Sequence, residues 1–503
     1  MFIREKHNKS GSTSIQILQK IGRQNKLLKT IGCSSDDRTL SIFREQAREW
    51  IHAHSGMREL DFTHGRSEAE KILDNVEELR LVGPEIVLGR LFDEIGFSKV
   101  PDLLFRQLVL CRLCYPVSKL KTTDYLRRYY HVFIDVHQIY RYLDKFHNNY
   151  KELTQQISYE HTLGILSADI SVVFYDVTTL YFETDDQDDL RKTGFSKEGK
   201  HQNPQIVLGL LVSIGGYPLA YEIFDGNKFE GHTMLPVLEY FKEKYKLKKL
   251  IVVADSGLMS QMNKELLSGS GYEYILGARI KNESSAIKQK ILSLSLHDGQ
   301  TGIIAKPDGS RLIIGYSTVR AKKDRANRER GLARLEKKIR SGKLTKSNIN
   351  NRGYNKYLKL TGKIQVSIDW EKFTQDDRWD GLKGYITNTK LSKEKVISNY
   401  NHLWRIEKAF RVAKHDLKIR PIFHRNKKRI EAHICITFTA YKVYKELERI
   451  LKEKHSNLTP EKAIEIAETI FAIKVKIPAT GETISKIFLL TQEQKMLANL
   501  LNF

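Results

Sequence analysis

Two stretches decide the fold: Val172-Val-Phe-Tyr-Asp-Val-Thr-Thr179 and its shorter echo, Ile251-Val-Val-Ala-Asp-Ser-Gly257. In each, a short apolar run leads into an aspartate, Asp176 or Asp255. Such runs fit buried strands. A carboxylate at the C-terminal end of a buried strand is held rigidly while its oxygens point past the sheet edge. Two of them on adjacent strands can share hard divalent cations, which take oxygen ligands. Either aspartate alone could equally be a turn starter.

The flanking sequence supplies the rest of an α/β unit. Strands are predicted at Ser171–Asp176, Gln205–Ile214, Pro218–Phe224 and Leu250–Ala254, with helices near Thr233–Lys244 and Ser260–Leu267. Three strands precede the first helix, which suggests antiparallel strands meeting a later parallel one. A β-rich, basic segment follows from about 281 to 382. Within it, Arg320 to Arg340 carries ten Lys or Arg against three acids and reads as an exposed basic helix. Arg328, Arg330 and Arg334 lie there, and such a run is either a DNA contact or a solvated face. Gly384-Tyr-Ile-Thr387 reads as one more core strand, followed by long helices over about 392–418 and 429–453.

Toward the N-terminus, a β-hairpin around Lys9-Ser-Gly11 and a helix from Leu40 to His54 are expected. Helical spacing then runs from Pro84 to about Ile157. Ser118 should cap Lys119–Tyr130, and Asp135 should cap Val136–Phe146. Two short helices bearing Arg141 and Lys145 suit a helix-turn-helix-like DNA contact, or an ordinary bundle with solvated charges.

Composition narrows the partners. The 503 residues are 41% hydrophobic and 10% aromatic, enough for sizeable cores, and only 10 are proline. Lys plus Arg exceeds Asp plus Glu by 84 to 60, a net charge of +24. That excess implies a polyanionic partner, most often nucleic acid and less often an acidic membrane surface. Four cysteines make no disulfide framework, so a cytoplasmic location is expected. No signal peptide shows at the start. The longest uncharged stretch, Gln202 to Tyr221, is broken by Gly215-Gly-Tyr-Pro218, so no membrane span is expected.

A third acid draws attention. Tyr400, Leu403, Glu407, Phe410 and Lys414 share one stripe of the helix expected near 392–418. A glutamate facing the protein body needs a cation or donor; the plain alternative is a surface pair between Glu407 and Arg411 at i+4.

Phe174-Tyr-Asp-Val-Thr-Thr-Leu-Tyr-Phe-Glu183, Val253-Ala-Asp-Ser-Gly-Leu258 and Tyr400 to Lys414 resemble the three catalytic blocks of DDE transposases. The likeness is to bacterial insertion-sequence enzymes with a Tyr-x2-Arg-x3-Glu-x6-Lys signature. Gly209-Leu-Leu-Val212 and Ile223-Phe-Asp-Gly-Asn227 with Thr233 add to it. The resemblance implies an RNase H-like core with an inserted β-domain, and makes Asp176, Asp255 and Glu407 the metal-binding triad. Tyr400 and Lys414 fall on the signature's Tyr and Lys, and are expected to flank the acids and hold DNA phosphates beside the scissile bond; its Arg position is Leu403 here, with Arg405 two residues later as a further expected DNA contact.

Two lesser motifs have plainer readings. Cys111-Arg-Leu-Cys114 lacks a second pair and reads as core packing, and Asp185, Asp186, Asp188 and Asp189 read as a loop neutralised by Arg191 and Lys192. No glycine-rich phosphate loop is present, so no nucleotide cofactor is expected.

The sequence thus predicts a transposase that uses Mg2+ or Mn2+, two ions in all, to cut element ends and join them to target DNA. A nuclease that never joins, or a non-catalytic DNA-binding descendant, are the rivals. The partner is double-stranded DNA, with a homodimer assembled on it. The expected organisation is an N-terminal hairpin and helical DNA-binding region (1–160), a first core part (161–280), the β-rich insertion (281–382), a last core part with the Glu helix (383–455) and a C-terminal helical region (456–503).

Overall fold

A computed structural model describes the chain except residues 56–69, 71–72, 147–148, 168–169, 197–198, 248, 259–260, 343, 345–348, 351–352, 362–364 and 478–479. It contains two compact units, one of Met1–Leu79 with Ile473–Lys486, the other of Arg80–Ala472 with Ile487–Phe503.

In the first unit, β1 (Phe2–His7), β2 (Thr13–Ile21) and β3 (Gln24–Ser34) form an antiparallel sheet. Helix α1 (Asp37–Ser55) packs Leu40 and Ala47 onto Ile15 and Ile17. The expected hairpin and helix are present. The third strand escaped the sequence because most of its side chains are exposed, so it lacks a clean apolar alternation. Strand β4 (Val76–Leu81) follows.

The second unit opens with a π-helical turn (Glu85–Gly89) and a short helix (Arg90–Ile95), followed by helices α2 (Leu103–Cys114), α3 (Lys119–Tyr130), α4 (Val136–Lys145) and α5 (Asn149–Ile165). Ser118 Oγ caps α3 by accepting from Lys121 N at 3.3 Å, and Asp135 with Gln138 forms a capping box on α4. These helices are not a separate module: Leu108, Ile139 and Leu143 share a core with Phe174, Val253 and Tyr400. Cys111 is buried among them, its thiol pushed up to about 12 by burial.

The central sheet has eight strands. Antiparallel β5 (Val172–Tyr181), β6 (Gln205–Ser213) and β7 (Pro218–Asp225) come first. Helix α6 (Met234–Lys244) leads to β8 (Ile251–Ala254), parallel to β5; α7 (Gln261–Gly269) leads to β9 (Glu273–Ala278), parallel to β8. Ser260, the expected helix start, lies outside the described residues. The sheet then continues through β10 (Thr301–Ala305) and β11 (Arg311–Tyr316). Helix α8 (Thr318–Arg340) and the separate pair β12 (Leu358–Thr361) and β13 (Gln365–Ile368) intervene before β14 (Leu382–Thr387). The order is β10-β11-β14-β9-β8-β5-β6-β7. Thus 281–382 is mixed helix and strand, and its strands β10 and β11 extend the main sheet.

Strand alternation divides two cores. Val173, Tyr175, Val252 and Ala254 face α6 and α7; Phe174, Val253, Ile275 and Tyr385 face the other way. That second face is covered by α9 (Lys393–Asn401), α10 (Trp404–Arg411) and α11 (Lys427–Glu453), the last buried along most of its length. The single helix expected over 392–418 is therefore two. At the join, His402, Leu403, Arg405 and Ile406 each donate to the residue three back, and Val412–Asp416 closes as a π-helical turn.

The region after 456 is not all helical. Strands β15 (Phe471–Lys476) and β16 (Thr483–Phe488) form a sheet with β4, between helices Pro460–Ala467 and Gln492–Leu501. Phe471-Ala-Ile-Lys-Val-Lys476 has the β-branched alternation of a strand, which outweighs the helical context. Among the described residues, no helix is long and apolar enough to cross a membrane.

Candidate active site

The register between β5 and β8 fixes the first two acids. Val172 pairs with Ile251 and Phe174 with Val253, an offset of 79 that carries Asp176 onto Asp255. Both side chains leave on the face of Phe174 and Val253, the face that α9 and α10 cover. Asp176 is not at its strand's end, because Val177-Thr-Thr-Leu-Tyr181 continues the pairing with β6. The neighbouring strand β8 has ended by then, so its ladder with β5 stops short of Asp176. It is half-buried and accepts from Val177 N at 2.8 Å, while Asp255 is exposed.

Above these strands, the Tyr400 hydroxyl donates to Asp255 Oδ1 at 3.2 Å. The ring is buried, and burial with the Asp255 charge pushes the phenol well above its ordinary range. Gly277 on β9 makes the approach possible, since a Cβ there would stand 2.5 Å from Tyr400 Oη. Across β14, Lys383 Nζ lies 4.7 Å from the Tyr400 ring centre, and Tyr385 meets that ring edge-on at 4.9 Å. Burial lowers the Lys383 ammonium and Arg320 repels it, while Asp255 and Glu407 hold its charge. Glu407 also acts on Tyr400, so the exposed Glu407 on α10 and Asp255 belong to one electrostatic neighbourhood. No Glu407–Arg411 ion pair forms among the described residues. A cleft of about 670 Å³ adjoins Lys383, lined by Arg279, Lys281, Arg320 and Lys356 among others.

The remaining expected residues separate. Tyr400 does not flank the acids at a distance; it touches one of them. Lys414 sits in the π-helical turn, half-buried, so the straight stripe Tyr400–Glu407–Lys414 is interrupted on both sides of Glu407. Arg405, two residues off the stripe, turns to the β6–β7 hairpin and donates to Ile214 O. Arg328, expected on an exposed basic helix, is instead buried, paired with Asp380, and stacked 5.3 Å over Phe373. Arg330, Arg334, Arg141 and Lys145 are exposed. Lys383, Tyr385 and Gly277 were missed. Alternation could have found the first, since Lys383 is two residues from the core residue Tyr385 and so shares its face.

Three carboxylates are a hard-oxygen donor set suited to divalent cations, and two of them are exposed and able to turn. Among the described residues, no three His, Cys, Asp or Glu side chains stand as a ready metal cage. Lys383 is a cation whose charge both Asp255 and Glu407 favour.

A mixed sheet with aligned aspartates on its central parallel strands, capped by a glutamate-bearing helix, defines an α/β protein organised around one acidic edge. The profile described as Transposase DDE domain matches residues 167–442, more than half of the chain. The chain belongs to that family. No curated protein matches it. Among solved structures, it is similar to a piggyBac transposase synaptic complex with hairpin DNA at 7% identity and a TM-score of 0.38, covering 77% of this chain and 79% of that one. It is also similar to a Mos1 transposase paired-end complex with left transposon end (10% identity, TM-score 0.16, 37% of this chain and 59% of that one). A Mos1 mariner paired-end complex with Mn stands at 12% identity and a TM-score of 0.15, covering 47% and 76%.

Proposed function

We propose that this chain cleaves double-stranded DNA at the ends of a mobile element and joins the freed 3′ hydroxyl to target DNA, as a cytoplasmic transposase of the bacterial insertion-sequence type. The observation that carries this is the 79-residue register that sets Asp176 beside Asp255 on the face beneath the Glu407 helix. Asp176, Asp255 and Glu407 would hold Mg2+ or Mn2+, two ions in all. Such ions, when bound, supply Lewis-acid activation of the attacking oxygen and stabilisation of the leaving one.

The protein's own groups do the positioning. Tyr400 fixes the Asp255 carboxylate through one oxygen, leaving Oδ2 to turn toward the site. Lys383, Arg320 and Lys414 hold phosphates near the acids, since ammonium and guanidinium groups are good phosphate donors. Exposed Arg141 and Lys145 on α4, and Arg330 and Arg334 on α8, add sequence-independent affinity for the duplex. The N-terminal helices read the element ends, and two copies assemble on DNA.

One assay tests the reading. Protein, Mg2+, end DNA and a plasmid target should give joined product, and Asp176→Asn or Asp255→Asn should bind DNA but yield none. Cut product alone would leave a nuclease; bound but unchanged DNA would leave a non-catalytic descendant.

A further inference from the structure

A second cluster of cations lies on the other side of the fold's logic, in a cavity of about 230 Å³ between the start of α3 and the segment before α11. Arg112, Lys119, Lys418, Arg420, His424 and His433 line it, and among the described residues no carboxylate does. Three of these are deeply buried: Arg112 and His433 are 6% exposed and Lys119 is 7%.

Burying a cation without a counter-charge is costly, and burying two side by side costs more. The partners present do not offset that cost. Arg112 donates to Leu417 O at 3.3 Å and approaches His433 Nδ1 at 3.4 Å. His433 Nε2 lies 2.9 Å from Ile419 O, so its protonated nitrogen is Nε2, and Nδ1 is left to accept from Arg112. His433 is therefore neutral and supplies no charge; burial, with Arg112 and Lys119 nearby, holds it well below its ordinary range. Lys119 Nζ has no hydrogen-bond or ion-pair partner among the described residues. Burial and Arg112 hold it down, to about 7. The carboxylate that acts on the neighbouring His424, Asp144, is engaged by Arg429 through two hydrogen bonds of 2.6 Å.

The backbone adds charge of the same sign. The cavity includes Ser118, the cap of the twelve-residue helix α3, whose N-terminus carries partial positive charge and spare N–H donors. At its mouth stands Phe423, 74% exposed.

We propose that this cavity is an oxyanion site that takes a phosphate group, held by Lys119 and Arg112 with Lys418 at the rim. The assignment is independent of the acidic edge: it concerns binding, and it stands whether or not the chain cleaves DNA. The phosphate can come from a DNA backbone or from free phosphate, and the experiment separates them.

The full-length protein is compared with Lys119→Met, Lys418→Met and the remote surface control Lys290→Met. Melting temperature is followed against inorganic phosphate at constant ionic strength, and affinity is measured for a short duplex. Lys119→Met should be at least as stable as wild type without phosphate, because an uncompensated buried charge has been replaced by an isosteric apolar chain. It should bind phosphate at least about tenfold more weakly, as the loss of one charge-assisted hydrogen bond implies. A phosphate-induced stabilisation lost in Lys119→Met, with duplex affinity unchanged, identifies free phosphate. A duplex affinity lowered about tenfold in Lys119→Met but not in Lys290→Met identifies a DNA phosphate. Lys119→Met matching wild type in both measurements would overturn the site. If that variant fails to fold, the rim variant Lys418→Met decides: weakened binding supports the site, and wild-type behaviour overturns it.

Discussion

Tyr400 donates its hydroxyl proton to Asp255 Oδ1 at 3.2 Å, although the two residues stand 145 positions apart. The tyrosine thus supports the acid, orienting one carboxylate oxygen from a buried ring.

Tyr400→Phe is therefore expected to fold normally and to bind DNA as wild type does. A group that orients a metal-binding carboxylate costs about 10–100-fold in metal affinity or activity when removed. Titration of Mn2+ against cleavage should show a raised metal requirement with DNA affinity unchanged. A loss of DNA affinity with no change in metal requirement would return Tyr400 to the phosphate-binding role.

Gly277→Ala should produce the same defect by another route. The added methyl would stand 2.5 Å from Tyr400 Oη and 3.0 Å from Ser256 N, so the phenol must move off Asp255. Because both changes remove one interaction, Gly277→Ala and Tyr400→Phe should be strongly non-additive in cleavage rate. Additive losses would mean that the glycine serves something else, such as the Ser256 turn.

The acidic edge was legible in the sequence because each part of it has a local signal. Val172–Tyr175 and Ile251–Ala254 are buried runs, and their shared offset to the following aspartate is a matter of counting. Caps such as Ser118 and Asp135 were legible for the same reason: the hydrogen bond spans three residues. What failed depended on distant partners. Arg328 reads as one more surface cation until Asp380 and Phe373 are brought to it. The break between α9 and α10 has no proline or glycine to mark it; tight turns at His402 and Leu403 let both helices pack on the sheet. Strand β9 was missed because its apolar run, Tyr274-Ile-Leu276, lies between Glu273 and Gly277, and its place beside β8 is set by tertiary pairing.

The basic helix α8 divides into two kinds of cation, which salt dependence should separate. Replacing exposed Arg330, Arg334 and Lys337 with Ala should reduce the slope of log affinity against log salt by about 3, close to one for each phosphate no longer neutralised. Folding should be unaffected. Arg328→Ala should instead leave the slope unchanged and lower stability by about 3 kcal/mol, because the half-buried Asp380 would be left without its partner. An unchanged slope in the triple variant would make α8 a solvated face.

Glu448 gives a pH test of the wall behind α10. Lys408 and Lys445 both pair with it, and Lys452 Nζ lies 3.1 Å away. Burial opposes its charge, but these lysines prevail and bring the carboxyl down to about 2 from an ordinary 4.5; the same burial holds Lys445 below its ordinary value. A carboxylate whose folded pKa is depressed contributes stability above its unfolded pKa and loses it as pH falls through the folded one. The window is therefore about pH 4.5 down to 2, and the stability at stake is on the order of 3 kcal/mol. Glu448→Gln should be less stable than wild type at pH 7, with three lysines left facing a neutral amide. Its deficit should shrink as both proteins are unfolded at successively lower pH, closing near pH 2. Urea midpoints across that range measure it directly, and a deficit that stays constant from pH 7 to 2 would show that Glu448 stabilises the wall by shape rather than by charge.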